Sequence, residues 1–182
     1  MTGKRYGSDA ERTLVAHYRD ADEETAQLGS AWYRRSRVVA RSLARANGVH
    51  LSVAAGVLAA ISPRLRWSSN VACADALLAG RPVTGVFSAN LRKADRILAG
   101  ERPMSVLGGD KVRAFYRAIM GDPNAVVLDV WMMRAAGWAK ASLTPSEYAN
   151  LADALTAAAV REGVDPADFQ AVVWTHVRGG GE

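Results

Sequence analysis

The sequence contains one cysteine, Cys73, among 182 residues. That excludes an intramolecular disulfide, and with it any zinc or iron–sulfur site built on several cysteines. Histidine is almost as scarce. His17, His50 and His176 are scattered along the chain and lack the i, i+4 spacing of a helical metal pair. Neither a metal nor another cofactor is expected. No apolar run reaches the roughly 18 residues that cross a bilayer, so no membrane association is expected. The basic start Met1-Thr2-Gly3-Lys4-Arg5 is not followed by a hydrophobic signal segment, and a cytoplasmic location is expected. Internal repeats and low-complexity linkers are absent as well.

What is present is ordinary for a globular protein. Hydrophobic residues make up 49% and charged residues 23%, which is too apolar for a disordered chain. The length suffices to bury a substantial core and favours a single domain over residues 1–182. A net charge of +5 and a pI near 9.7 give a surface field that favours a polyanion. Only Lys4, Lys93, Lys111 and Lys140 are lysine, and the remaining basic residues are arginine. A GC-rich genome produces the same bias, so charge alone does not select a partner.

The hydrophobic periodicity is helical throughout. Ser8-Asp9-Ala10-Glu11 has the pattern of a capping box opening a first helix toward Leu28, punctuated by Gly29-Ser30. A second helix runs from about Ala31 to Asn47-Gly48. It turns Trp32, Val38, Val39 and Leu43 inward and Arg34, Arg35, Arg37, Arg41 and Arg45 outward. Residues 52–61 are apolar all round, as in a central buried helix, and Pro63 stops them before the basic loop Ser62-Pro63-Arg64-Leu65-Arg66-Trp67. Ser68 or Ser69 would cap the next helix through Leu78, and Ser88 starts another. Val106 to Asp110 predicts a tight turn, and Lys111 to Met120 a helix. Ala125-Val126-Val127-Leu128 reads as an extended approach to Asp129, which would cap a helix through Ala136. Thr144-Pro145-Ser146-Glu147 is a capping box with proline at the first helical position, and Asp165-Pro166 opens the last helix. The glycine tail Gly179-Gly180-Gly181 is expected to fray. Together these make an all-α orthogonal helical bundle, with an N-terminal helical pair over 8–46 and a core over about 50–179.

The chemistry concentrates between Leu107 and Arg134. A glycine turn that opens a helix presents free backbone N–H groups at the positive end of the helix dipole, which suits a phosphate. Lys111 and Arg113 lie in the first turns of that helix, and Asp129 lies 18 residues after Lys111, at the mouth of the next one. Arg64, Arg66, Trp67 and Asn70 follow the break at Pro63. There, arginines can hold phosphates while an aromatic or amide fills the gap left by a flipped base. Each residue also has a plain structural role open to it. Asp129 can be a helix N-cap, Trp67 can pack in the core, and Asn70 can cap a turn.

The order Leu107-Gly108-Gly109-Asp110-Lys111, then Val126-Val127-Leu128-Asp129-Val130-Trp131, resembles the helix–hairpin–helix DNA glycosylase superfamily of endonuclease III and MutY-like enzymes. Supporting matches are Val57-Leu58-Ala59-Ala60-Ile61-Ser62-Pro63 and Asn90-Leu91-Arg92-Lys93-Ala94-Asp95-Arg96-Ile97. A further one is Trp174-Thr175-His176-Val177-Arg178-Gly179. The resemblance covers roughly residues 50–179. It departs from the family in the hairpin, which lacks a proline, has adjacent glycines and carries the negative charge of Asp110 where a phosphate would dock, and in the absent cysteine-ligated cluster loop.

The resemblance implies that Gly108 and Gly109 grip the DNA backbone, that Asp129 is the catalytic carboxylate and that Lys111 falls on the family's nucleophilic lysine. The implied partner is DNA, duplex or single-stranded. The implied activity is extrusion of a base and action at or near its N-glycosidic bond. Some phage-encoded relatives act instead on hypermodified thymines, which makes conversion of a modified pyrimidine without excision a same-fold alternative. A DNA-binding module without catalysis is the alternative from another class.

Overall fold

The computed structural model describes residues 3–180, which form eleven helices and no strand. The chain is all-α, as the periodicity requires. Its contacts divide it into two compact units, one built from the chain up to Tyr33 together with the part from Asp122 onward, the other from Arg34–Gly121.

In the first unit, α1 (Gly3–Asp20) and α2 (Glu23–Ser30) replace the single helix expected over 8–28. Ser8 lies inside α1, not at its cap. The break comes at Asp22, whose carboxylate accepts the Thr25 N–H at 2.7 Å. Gly29 was expected to punctuate, yet it is buried within α2. A Cβ on it would stand 2.5 Å from the Val172 Cα, so the missing side chain lets α2 lie directly on α11 (Pro166–Arg178). Helix α1 crosses α10 (Pro145–Glu162) and α11, and α9 (Val130–Ala135) also packs on α11. Leu14, Leu128, Met132, Leu151, Leu155 and Phe169 fill the centre, and Tyr18 stacks on Phe169 with centroids 4.7 Å apart.

The N-terminus of α10 follows the sequence pattern closely. Glu147 N–H donates to Thr144 Oγ1 at 3.3 Å, while Glu147 Oε2 accepts the Thr144 N–H at 2.9 Å. Asp165 stands at the α11 N-cap without a side-chain capping bond. Gly179 closes α11 in the left-handed region, and Gly181 lies outside the described residues.

In the second unit, α4 (Leu51–Ile61) is the hub, buried from Ala54 through Ile61 and touched by α5 (Trp67–Leu78), α6 (Ser88–Leu98), α7 (Pro103–Val106) and α8 (Asp110–Met120). Gly56 admits Pro103 against the α4 backbone. Helix α3 (Trp32–Ala46) buries Ser36, Ala40, Leu43 and Ala44 at the helical period. Val38, expected inside, is 59% exposed because it sits on the opposite face. Arg37, expected in solvent, is half-buried with its guanidinium against Gly121, the left-handed cap of α8.

Candidate nucleic-acid interface and carboxylate site

The glycine turn is a short hairpin between α7 and α8. Pro103 begins α7, the chain is extended at Leu107, and Gly109 takes φ 80° as the residue before α8. Only glycine adopts that backbone freely. No side chain caps α8, so the N-terminal amides of its first turn are not covered by a capping bond. Leu107 is fully buried and anchors the turn, whereas Gly108, Gly109 and Asp110 are exposed. The Arg113 Nε–H donates to the Leu107 carbonyl at 2.8 Å and staples the hairpin shut. Lys111 is exposed in the first turn. Lys93 approaches from α6: a Cβ on Gly108 would lie 3.8 Å from its Nζ. The exposed turn thus carries Lys111 and the acidic Asp110 in the first turn of α8, with the Lys93 ammonium alongside Gly108.

The loop after α4 is positioned by a tight turn. Leu65 N–H donates to the Ser62 carbonyl at 3.1 Å, with Pro63 and Arg64 at the corner. Arg64 has φ 66° at the corner position that glycine normally occupies when proline precedes it. A side chain held there costs about 1 kcal/mol or more. The Arg64 guanidinium lies over the Phe87 ring, 5.6 Å from its centroid. Arg66 is exposed as the residue before α5. Trp67 begins α5, so the helix starts ahead of Ser68. Its indole packs edge-on against Phe115 of α8, with centroids 6.4 Å apart. Lys111 and Phe115 are four residues apart and share a face of α8.

Asn70, expected to face DNA, is only 2% exposed. Its Nδ2 donates to the Leu58 carbonyl at 3.2 Å, near the end of α4, where Ser62 N–H turns back to Ala59. The amide therefore ties α5 to α4, and its Oδ1 is buried without a partner. Contact with DNA is ruled out in this conformation.

Asp129 belongs to the other unit, and the sequence reading of it as an N-cap holds. Its Oδ1 accepts the N–H groups of Trp131 at 2.9 Å and Met132 at 3.0 Å. Its Oδ2 accepts the Trp174 indole N–H at 3.0 Å. The approach over Ala125–Leu128 is fixed by Tyr148, whose hydroxyl donates to the Val126 carbonyl at 2.7 Å and accepts the Leu128 N–H at 3.2 Å. Trp174 meets Trp32 edge-on at 5.9 Å, and Arg178 covers its ring at 4.6 Å. Tyr33, buried, donates to Gln170 Oε1 at 2.7 Å. Burial, and after it the Asp129 charge, pushes its phenol well above the ordinary tyrosine range.

The residues Trp174, Trp32, Tyr33 and Tyr148 were not legible as neighbours of the Asp129 segment, because they come from three helices far apart in the chain, α3, α10 and α11. A cavity of about 540 Å³ also lies in this unit, lined by Gly7, Ala10, Trp138, Lys140, Glu147 and Asn150 among others; Asp129 is not on its wall. Among the described residues no three His, Cys, Asp or Glu side chains converge.

The family model described as a family of unknown function (DUF7178) matches residues 3–181, and the chain belongs to that family. No curated protein and no solved structure matches it.

Proposed function

We propose that this member of the DUF7178 family binds DNA and acts on a base at or near its N-glycosidic bond. The observation that carries the DNA part is the hairpin. Gly108 and Gly109 are exposed, Gly109 needs a backbone that favours glycine, Lys93 reaches alongside Gly108, and Lys111 is exposed in the first turn of a helix that no side chain caps. That combination suits a phosphodiester, which takes up backbone N–H donors and neutralising cations together. Lys111 serves here as a phosphate contact. It is solvated, whereas an amine nucleophile works from a partly dry site.

Asp129 would supply the charge in the reaction. A carboxylate has about four acceptor positions, and three N–H donors already use most of them. Such a group is better suited to standing as an oriented negative charge beside a cationic sugar than to collecting a proton. The support for the base-processing step is this oriented carboxylate together with the resemblance in the residues around it.

A second reading is a DNA-binding module without catalysis. It is favoured by the same three hydrogen bonds, which give Asp129 a complete structural role as the link between α9 and α11. Mass spectrometry separates the two. DNA carrying modified and unmodified bases is incubated with the protein, and released bases and altered nucleosides are measured. The enzyme reading expects a product that Asp129→Asn reduces. DNA binding with no product from any substrate supports the module.

A further inference from the structure

We propose that Phe87 and Arg64 form a stacking site for an unpaired DNA base, the inference resting on the DNA-binding reading above. The two aromatic and amide residues that the sequence offers for this task are occupied elsewhere. Trp67 packs on Phe115, and Asn70 is buried against Leu58. Among the described residues Phe87 is the aromatic left exposed. It immediately precedes α6 and is 51% exposed, while its neighbour Val86 packs into the core.

The ring is also held. Arg64 lays its guanidinium over it at 5.6 Å, from a backbone conformation that disfavours any residue with a side chain. A glycine at that turn would relieve the strain, so the strained arginine points to a role outside folding. A half-exposed ring with a guanidinium over one face suits a nucleotide, whose base stacks on the ring while its phosphate meets the guanidinium. Arg66 on the same loop adds a second exposed cation. Stacking of this kind tolerates any base, so the site recognises an unstacked nucleotide and not a sequence.

The test measures binding of a fluorescein-labelled single-stranded oligonucleotide to the wild type and to Phe87→Ala, Phe87→Leu and Phe87→Tyr across a salt range. Loss of one stacked base corresponds to about 5- to 150-fold weaker binding. The alanine and leucine variants should show that loss with an unchanged salt slope, and the tyrosine variant should retain wild-type affinity. Thermal melting should be unaltered in all three, since the ring contributes little to the core. If wild type binds and Phe87→Ala stays within about twofold of it, the stacking site is wrong while the DNA reading stands. Full affinity in Phe87→Leu would also overturn it, because leucine has no π-face. A wild type that binds no oligonucleotide overturns the DNA reading and this inference together.

Discussion

The Trp174 indole N–H donates to Asp129 Oδ2 at 3.0 Å, which joins the last helix to the mouth of α9. Asparagine is therefore not a neutral replacement. If its oxygen stays on the Trp131 and Met132 amides, its NH₂ faces the indole N–H and two donors oppose each other. Asp129→Asn should lower the unfolding free energy by about 1 kcal/mol or more, as expected for a part-buried donor left unpaired. Adding Trp174→Phe removes the conflict and should recover part of that loss. In a double-mutant cycle by urea denaturation the two changes should be non-additive; additive losses would mean that the bond carries no energy. On the proposed enzyme reading, base release should fall on the order of 100- to 1,000-fold in both variants that contain Asp129→Asn.

Gly29→Ala should destabilise the protein, against the usual sign for a glycine inside a helix. Alanine gains about 1 kcal/mol of helix propensity, but its Cβ would lie 2.5 Å from Val172 Cα. Separating α2 from α11 should cost about 1–3 kcal/mol net. Gly7→Ala is the control, because a Cβ there meets nothing within 4 Å. It should stabilise by about 0.5–1 kcal/mol. Urea midpoints for the pair check the contrast, and equal shifts would contradict it.

These positions show what the sequence could and could not disclose. Asp129, Thr144 and Glu147 were legible because capping is local: acceptor and amides lie within three residues of one another. The extended approach at Ala125–Leu128 was legible from its place before the cap, although Tyr148, which fixes it, was not. Gly29 was misread because its role depends on Val172, far along the chain, while propensity counts glycine only as a breaker. The split between α1 and α2 was missed because Asp20-Ala21-Asp22 carries neither glycine nor proline. Asn70 and Trp67 have the composition of surface residues after a helix break, and only packing on Leu58 and Phe115 turns them inward.

Arg64→Gly should separate stability from binding. Glycine accepts φ 66° freely, so the unfolding free energy should rise by up to about 1 kcal/mol. DNA affinity should fall nonetheless, and the slope of log affinity against log salt should shrink by about one phosphate contact. Thermal melting and salt titrations on the same preparation check both signs. A variant that is stabilised and binds as tightly as wild type would leave Arg64 without a role in binding.

Glu147 titrates at about 2, below the ordinary glutamate value of 4.5. The Lys140 ammonium is the largest cause, followed by the Thr144 backbone N–H and hydroxyl. A carboxyl lowered by folding adds stability that is present above 4.5 and is lost as pH falls toward about 2. The first turn of α10 should therefore lose amide-exchange protection within that window. Lys140→Met should move the Glu147 midpoint upward in an NMR titration. A wild-type midpoint at the ordinary value would show that the ion pair does not persist in solution.

The hairpin supports the whole functional account, and its most direct test is DNA affinity measured over a salt series for wild type and Gly109→Val. Valine is strained at φ 80° and crowds the exposed amides, while α8 and its buried face remain. Wild-type affinity for duplex and single-stranded oligonucleotides should fall linearly on a log–log plot as salt rises, because bound phosphates release counterions. Gly109→Val should bind more weakly at every salt concentration with its helical circular dichroism essentially unchanged. Equal binding by wild type and variant, or no binding by wild type at low ionic strength, would contradict the assignment of this turn to DNA.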